Sequence, residues 1–327
     1  MKCVKLPLCW VGMALCASLW ASGAFAAEDR HYTNADLLKD LPGFEDRSAN
    51  VDGLQLHYVE GGKGDLVVLL PGWPETWWEW HKMMPELAKR HRVVSVDLRG
   101  MGESGRPEGG YDKKTMARDI AGLVRHLGYR KATVIGHDIG SMVAFAFAAN
   151  YPELTDKVVM MDVAHPDASL AKWPLLPPAG TFGDRIDDDH PYPWWFAFHQ
   201  VKGLPEKLLE GRINIEQEWF FHYLVKNDAA IDSRDRAVYA DAYKTADAIR
   251  AGDAWYQAFP QDILDGESYA PVAAPILALG GPGYGWLKDT LGRHATNAEV
   301  VKVEGSGHFI PEEKPAEALA RIAAFLY

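Results

Sequence analysis

The sequence predicts an α/β protein: a mostly parallel sheet covered on both faces by helices and interrupted by an inserted helical cap. Three observations carry this expectation. Short apolar runs of strand character alternate with helical patterns through the first half of the chain, as in right-handed β-α-β units. The alternation stops after Ala164 and resumes at Pro275. At Val134–Val143 a strand run meets a small-x-Asp-x-small turn and passes at once into a helix.

The chain of 327 residues opens on a basic, apolar, then small-residue segment. Lys2 and Lys5, the stretch Leu6–Trp20 and Ala24-Phe25-Ala26 have the three parts of a secretory signal peptide. Residues 1–26 are therefore expected to be a leader, and the mature protein to be exported, periplasmic or secreted. All three cysteines (Cys3, Cys9, Cys16) fall in that leader. The mature chain has no disulfide, thiol nucleophile or Cys-based metal site, so packing must hold it. About 300 residues remain, enough for one large core with an insertion. The leader has two lysines and no acidic residue, so its removal takes the formal net charge from −11 to −13. That acidity disfavours nucleic-acid and anionic-membrane partners. It weakly disfavours small anionic substrates, although a local Arg pair could override that, and the expected partner is a small uncharged organic substrate. No cofactor and no metal are expected, and a homo-oligomer is left open.

Gln55–Val59 alternates as an early strand. Leu66–Leu70 and Arg92–Val96 are continuous apolar runs, which suit strands buried on both faces. Trp77–Lys89 and Lys113–Leu127 read as helices. Ala132–Ile135 and Lys157–Val163 are further strands, with the Met142–Asn150 helix between them. Residues 165–265 are rich in Trp, Tyr, Asp and Pro, with helical patterns at Leu204–Glu210, Ile215–Lys226 and Arg234–Arg250. The strands Pro275–Leu279 and Glu299–Val303 and a helix from Pro315 to Tyr327 complete the pattern. The expected division is a core over 27–164, a cap over 165–268 and the rest of the core over 269–327.

The strand-turn-helix at Asp138 is the setting of a nucleophile elbow with Asp at its centre. Gly136 and Gly140 leave room for the tight turn. A carboxylate nucleophile forms an ester of the protein itself, which suits attack on a saturated carbon. The competing reading makes Asp138 a helix N-cap. Gly305-Ser306-Gly307-His308 follows the last strand and can bring an imidazole over the sheet, where a base must activate water. The acid that orients His308 belongs after one of two strands. Gly280–Gly285 holds no carboxylate, whereas Asp162 ends an apolar strand, where a buried charge needs a partner. Asp162 is the expected acid, with Asp167 and Asp289 as alternatives. Pro71-Gly72-Trp73-Pro74 follows the first buried strand; the N–H groups of Trp73 and Ile139 are the expected oxyanion hole.

With these parts in order, the chain resembles the α/β-hydrolase-fold epoxide hydrolases, most closely the secreted Cif-like ones. The matching stretches are Trp78-Glu79-Trp80-His81, Met84–Arg90, His137-Asp138-Ile139-Gly140, and Gly307-His308 with the following Pro311-Glu312-Glu313. The resemblance implies the α/β-hydrolase fold and conversion of an epoxide to a diol through an aspartyl ester. It also implies two ring-opening donors from the cap. Ala254–Phe259 matches the segment that carries the family's tyrosine, giving Tyr256. The second donor falls at Trp195, with Trp73 and His199 beside it as substrate contacts and His199, Tyr192 or Tyr223 as substitutes for its role. An indole N–H can hydrogen-bond an oxygen or halide but is no useful acid. The family's usual His is replaced by Pro71. Haloacetate dehalogenases share the frame but place arginines after the nucleophile, where this chain has Ile139 and Met142. A haloacetate or haloalkane dehalogenase is the second reading, and a non-catalytic binding protein on the hydrolase fold the third.

Overall fold

A computed structural model describes residues 31–327; the leader expected at 1–26, with its cysteines, lies outside the described residues. Eight strands form one sheet: β1 Phe44–Val51, β2 Leu54–Gly62, β3 Asp65–Leu70, β4 His91–Val96, β5 Ala132–His137, β6 Thr155–Met161, β7 Ile276–Gly280 and β8 Ala298–Lys302. Their order is β1-β2-β4-β3-β5-β6-β7-β8. β1–β2 and β2–β4 pair antiparallel, and the remaining neighbours are parallel. This is the α/β-hydrolase fold.

The central strands are apolar because both of their faces are covered. Val68 of β3 lies between Val94 of β4 and Val134 of β5, and all three are completely buried. β1 escapes the sequence pattern for the opposite reason. It is an edge strand whose residues are mostly exposed, so nothing forces alternation. Its signal is the turn: Val51 pairs with Leu54 across Asp52-Gly53, and both turn residues have positive φ, 50° and 88°. An Asp-Gly pair at that spacing is a hairpin signature.

The expected Trp77–Lys89 helix is instead a 3₁₀ turn at Trp77–Trp80 and a short helix at Met84–Leu87. Pro85 lacks the N–H that would continue the ladder. Between β6 and β7 the described residues form helices and loops and contain no named strand. The expected Arg234–Arg250 helix is two helices, Ser233–Ala242 and Ala246–Gln257. Thr245 caps the second by accepting from the Ala248 N–H at 3.2 Å. Buried polar bonds tie this helical segment to the loop after β4 and to the start of the helix Lys113–His126. Lys113 Nζ reaches Asp262 at 2.8 Å and the Trp255 carbonyl at 2.7 Å, and the Trp255 indole donates to the Arg99 carbonyl at 2.9 Å. No helix among the described residues is long and apolar enough to cross a membrane.

Candidate active site

Asp138 stands between β5 and the helix Ile139–Asn150, with φ 48° and ψ −120°. Positive φ is rare for a residue with a Cβ and persists only where the surroundings enforce it. Here the turn is too tight for other side chains on either side. A Cβ on Gly136 would stand 2.1 Å from the Gly140 carbonyl oxygen, and one on Gly140 2.0 Å from that of Leu70. The N-cap alternative does not hold: the Asp138 side chain makes no capping bond. The Trp73 N–H donates to Asp138 Oδ1 at 3.0 Å instead.

The other carboxylate oxygen, Oδ2, faces His308 Nε2 at 3.6 Å. His308 Nδ1 lies 2.7 Å from Asp162 Oδ2. Asp162 follows β6 directly, and its Oδ1 accepts N–H bonds from Gly281 (2.8 Å) and Gly283 (2.9 Å). The turn after β7 thus lacks a carboxylate but supplies the donors that hold one. The alternatives lie elsewhere: Asp167 pairs with Arg293 and Thr290, and Asp289 is exposed on the helix Tyr284–His294 and does not line the catalytic cavity. The His308 loop is held by its own N–H on the Leu224 carbonyl (2.8 Å) and by the Gly307 N–H on Glu313 (2.9 Å). Ile139 opens its helix, so its N–H is among those with no intrahelical acceptor.

These groups open on a cavity of about 250 Å³. Trp73, Trp195, Phe196, Phe220 and Tyr256 line it together with Asp138 and His308. Burial and the negative charge of Asp138 raise the Tyr256 pKa well above that of a free phenol, so its hydroxyl remains a proton donor at neutral pH. Trp195 reaches the cavity and packs edge-on against Phe220, with ring centroids 5.0 Å apart. His199 does not line it. It lies behind the wall, stacked on Tyr256 at 4.9 Å and edge-on to Trp73 at 4.7 Å. Its nitrogens face Asp253 (2.6 Å) and Glu216 (3.4 Å). Burial opposes charge there, but the hydrogen bonds to these two carboxylates outweigh it and raise the His199 pKa to about 9. His199 backs the site as a buried imidazolium. Tyr192 and Tyr223 are also outside the lining, and Tyr192 donates to the Leu175 carbonyl at 2.9 Å.

Residues 65–196 match the family model for the alpha/beta hydrolase fold. The soluble epoxide hydrolase of Corynebacterium sp. (strain C12) is 34% identical over 278 residues, which span 82% of this chain and 92% of that protein. The chain belongs to the epoxide hydrolases of the α/β-hydrolase fold. The crystal structure of Cfl2 from Burkholderia cenocepacia superposes with a TM-score of 0.78 at 32% identity, covering 87% of this chain and 96% of that one. The Cif epoxide hydrolase of Acinetobacter nosocomialis also gives 0.78, covering 91% of each chain. At 22% identity, that likeness speaks for the fold alone.

The hydrolase also holds a buried polar cluster that sequence reasoning missed. His137, just before the Asp138 elbow, points Nε2 at the backbone carbonyl of His308 (3.0 Å) and pairs through Nδ1 with Glu79 Oε1 (3.0 Å). Glu79 Oε2 accepts the Gly72 N–H at 2.7 Å. One carboxylate therefore joins the loop carrying Trp73, the elbow and, through His137, the His308 loop. Burial works against a charge on His137, but the negative charge of Glu79 and its hydrogen bond raise the pKa to about 9. Glu75 approaches the same nitrogen, with Oε2 3.7 Å from Nδ1. Burial and the charges of Glu79 and Glu312 push its carboxyl up. Glu75, Glu79 and His137 bring one ligand atom each within 4.8 Å of one another. Those are donor types of a cation site, yet both His137 nitrogens are already engaged. The Trp78-Glu79-Trp80 stretch was the available signal, but nothing local says that Glu79 meets His137.

Glu79→Gln is expected to destabilise the enzyme by about 3 kcal/mol at pH 6.5, as when one partner of a buried pair is removed. His137 has a folded pKa above its ordinary 6.5. Its stabilisation is therefore fully present below about pH 6.5 and is lost as pH rises through about 9. The gap in Tm between wild type and variant should shrink over that interval. A gap independent of pH would remove the charge pair from the account. Looser loops should also lower kcat by roughly 10–10²-fold.

Proposed function

We propose that the enzyme hydrolyses an uncharged epoxide to a vicinal diol through an ester on Asp138. The observation that carries this reading is the Asp138 carboxylate set between the Trp73 N–H and His308 Nε2, at a cavity whose lining includes Tyr256. In the first step an Asp138 oxygen bonds to an oxirane carbon. The ring C–O bond breaks, and the Tyr256 hydroxyl gives its proton to the leaving oxygen. In the second step water adds to Cγ of the ester while His308 takes a proton from it, with Asp162 stabilising the imidazolium. The N–H groups of Trp73 and Ile139 bear the charge of the tetrahedral species. Collapse expels the diol oxygen, which takes back the proton from His308. The proton left on the Asp138 carboxyl restores Tyr256 through solvent.

The charge of the cavity supports a neutral substrate. Its lining includes Asp138, Asp162, Asp188 and Asp189, and neither Lys nor Arg. Ile139 and Met142 are fully buried and apolar. A haloacetate carboxylate would lose its hydration there without gaining a partner, at a cost on the order of 3–5 kcal/mol. The test is a turnover screen of purified protein with uncharged epoxides, haloalkanes and haloacetate. Diol release from epoxides is expected. Halide release from haloacetate with every epoxide untouched would reverse the reading in favour of a dehalogenase.

A further inference from the structure

We infer that His199 is a positioning residue for the ring-opening acid: stacked on Tyr256 and paired with a carboxylate at each ring nitrogen, it fixes the plane of the phenol. A phenol O–H prefers the plane of its ring, so that plane sets the line along which the proton leaves. The inference rests on the epoxide-hydrolysis reading and adds to it a residue that touches no substrate. The rings of Trp73, Phe196 and Phe259 meet Tyr256 at an angle, 89°, 58° and 57°, with centroids 5.9, 5.6 and 5.3 Å away. The His199 ring lies closer to parallel, at 25° and 4.9 Å. Among the described residues it is the face-on partner of the phenol.

His199 also joins the elements that carry the site. It follows the short helix Trp195–Phe198, and its N–H donates to the Trp195 carbonyl at 2.9 Å. Its Nδ1 lies 2.6 Å from Asp253 Oδ1. Asp253 precedes Tyr256 by one turn of the helix Ala246–Gln257, so the two side chains share a helix face. The His199 carbonyl accepts from the Gln257 side-chain amide at 3.2 Å. Nε2 faces Oε1 of Glu216, on the helix Ile213–Tyr223, at 3.4 Å. Glu216 is buried, and neither of its oxygens has a hydrogen-bond partner among the described residues. Only a doubly protonated imidazole offers an N–H to each carboxylate. A phenylalanine would cover the Tyr256 face as well, without desolvating an imidazolium and two carboxylates, which is costly. What the imidazolium adds is direction: a ring tied at two ends to two helices cannot turn. His199 meets the Trp73 ring edge-on at 4.7 Å. The Trp73 N–H that faces Asp138 belongs to the backbone beside Gly72, which Glu79 holds. The role therefore concerns ring opening and not ester hydrolysis.

The test is a double-mutant cycle between His199→Gln and Tyr256→Phe. Formation and hydrolysis of the Asp138 ester are followed by rapid mixing, quench and mass analysis with 1,2-epoxyhexane, or failing that with the fastest epoxide of the turnover screen. His199→Gln is expected to slow ester formation by roughly 10–10²-fold, the loss for a misaimed reacting group. Hydrolysis of the ester once formed should stay within about twofold of wild type, the usual spread for independent sites. In the Tyr256→Phe background the same change should alter ester formation by no more than about twofold, because no phenol proton is left to aim. A packing role alone would cost the same in both backgrounds. Should His199→Gln fail to fold, Glu216→Gln enters the same cycle. It keeps the stack and the Asp253 bond, and should slow ester formation by roughly three- to tenfold, the share of one hydrogen bond. Equal losses in the two backgrounds overturn the assignment, and so does wild-type ester formation by the variant. Equal slowing of ester hydrolysis overturns it too, since His199 would then support the whole site. Wild-type ring opening by Tyr256→Phe, or no ester from any epoxide, would sink the underlying reading and this role with it. A slow Tyr256→Phe with an additive cycle sinks the role of His199 alone.

Discussion

His308→Gln is expected to stop turnover and leave Asp138 covalently esterified. In the proposed mechanism ester formation draws on the Asp138 carboxylate and the Tyr256 hydroxyl, and neither is touched by the change. Ester hydrolysis needs a group that accepts a proton from water beside the Asp138 carboxyl. Among the described residues His308 stands there, with Nε2 at 3.6 Å from Oδ2 and Nδ1 held by Asp162 at 2.7 Å. A glutamine amide keeps the approximate bulk and has no such basicity. Steady-state turnover should fall by roughly 10²–10⁴-fold, the range for a lost general base. Intact mass after mixing with substrate should rise by the mass of one epoxide. In heavy-oxygen water, a single turnover of the wild type should place the label in the Asp138 carboxyl, because water adds to that carbon. Label found only in the diol would mean direct attack by water and would remove Asp138 as nucleophile. Normal turnover by the variant would place the base elsewhere.

The parts of this site that were legible in the sequence are those whose chemistry is written locally. Asp138 shows itself because strand, glycine-flanked turn and helix are contiguous. His308 is visible between glycines after the last strand, and Asp162 because a carboxylate at the end of a buried strand needs a partner. What was not legible depends on contacts between distant segments. Glu79 meets His137 across 58 positions of sequence, and neither residue has a local pattern that announces the other. The position of His199 near Trp195 predicts a substrate contact. Two carboxylates from other helices draw its ring behind Tyr256 instead. In the fold, β1 lacked alternation because an edge strand faces water, and the Arg234–Arg250 pattern ran across a break because Tyr243 and Lys244 do not themselves interrupt helical spacing. Tyr256 came from family resemblance and not from periodicity, since an aromatic in a helix is more often core.

Replacing Tyr256 by Phe is expected to slow ester formation on Asp138 by roughly 10²–10⁴-fold, and the placement of the other donors argues for the upper part of that range. Opening an oxirane develops an alkoxide, a very poor leaving group unless a proton reaches it as the bond breaks. His199, Tyr192 and Tyr223 were the substitutes for a second donor, and none of them lines the catalytic cavity. Trp195 does, but its indole N–H can orient the oxygen without protonating it. The Tyr256 hydroxyl is thus the one acid in the lining apart from the groups at Asp138, His308 and the acidic residues of the wall. Its raised pKa keeps it protonated and makes transfer depend on the strong basicity of the alkoxide. The Phe variant keeps the ring contacts with Trp73 at 5.9 Å and Phe196 at 5.6 Å, so the wall should stand and the loss should be chemical. Rapid mixing followed by quench and mass analysis separates the steps. Ester formation should be slow, while hydrolysis of the ester once formed should stay near the wild-type rate because it runs through His308. Trp195→Phe should cost less than Tyr256→Phe in the first step. Wild-type rates of ring opening by Tyr256→Phe would place the acid elsewhere and leave the tyrosine as packing.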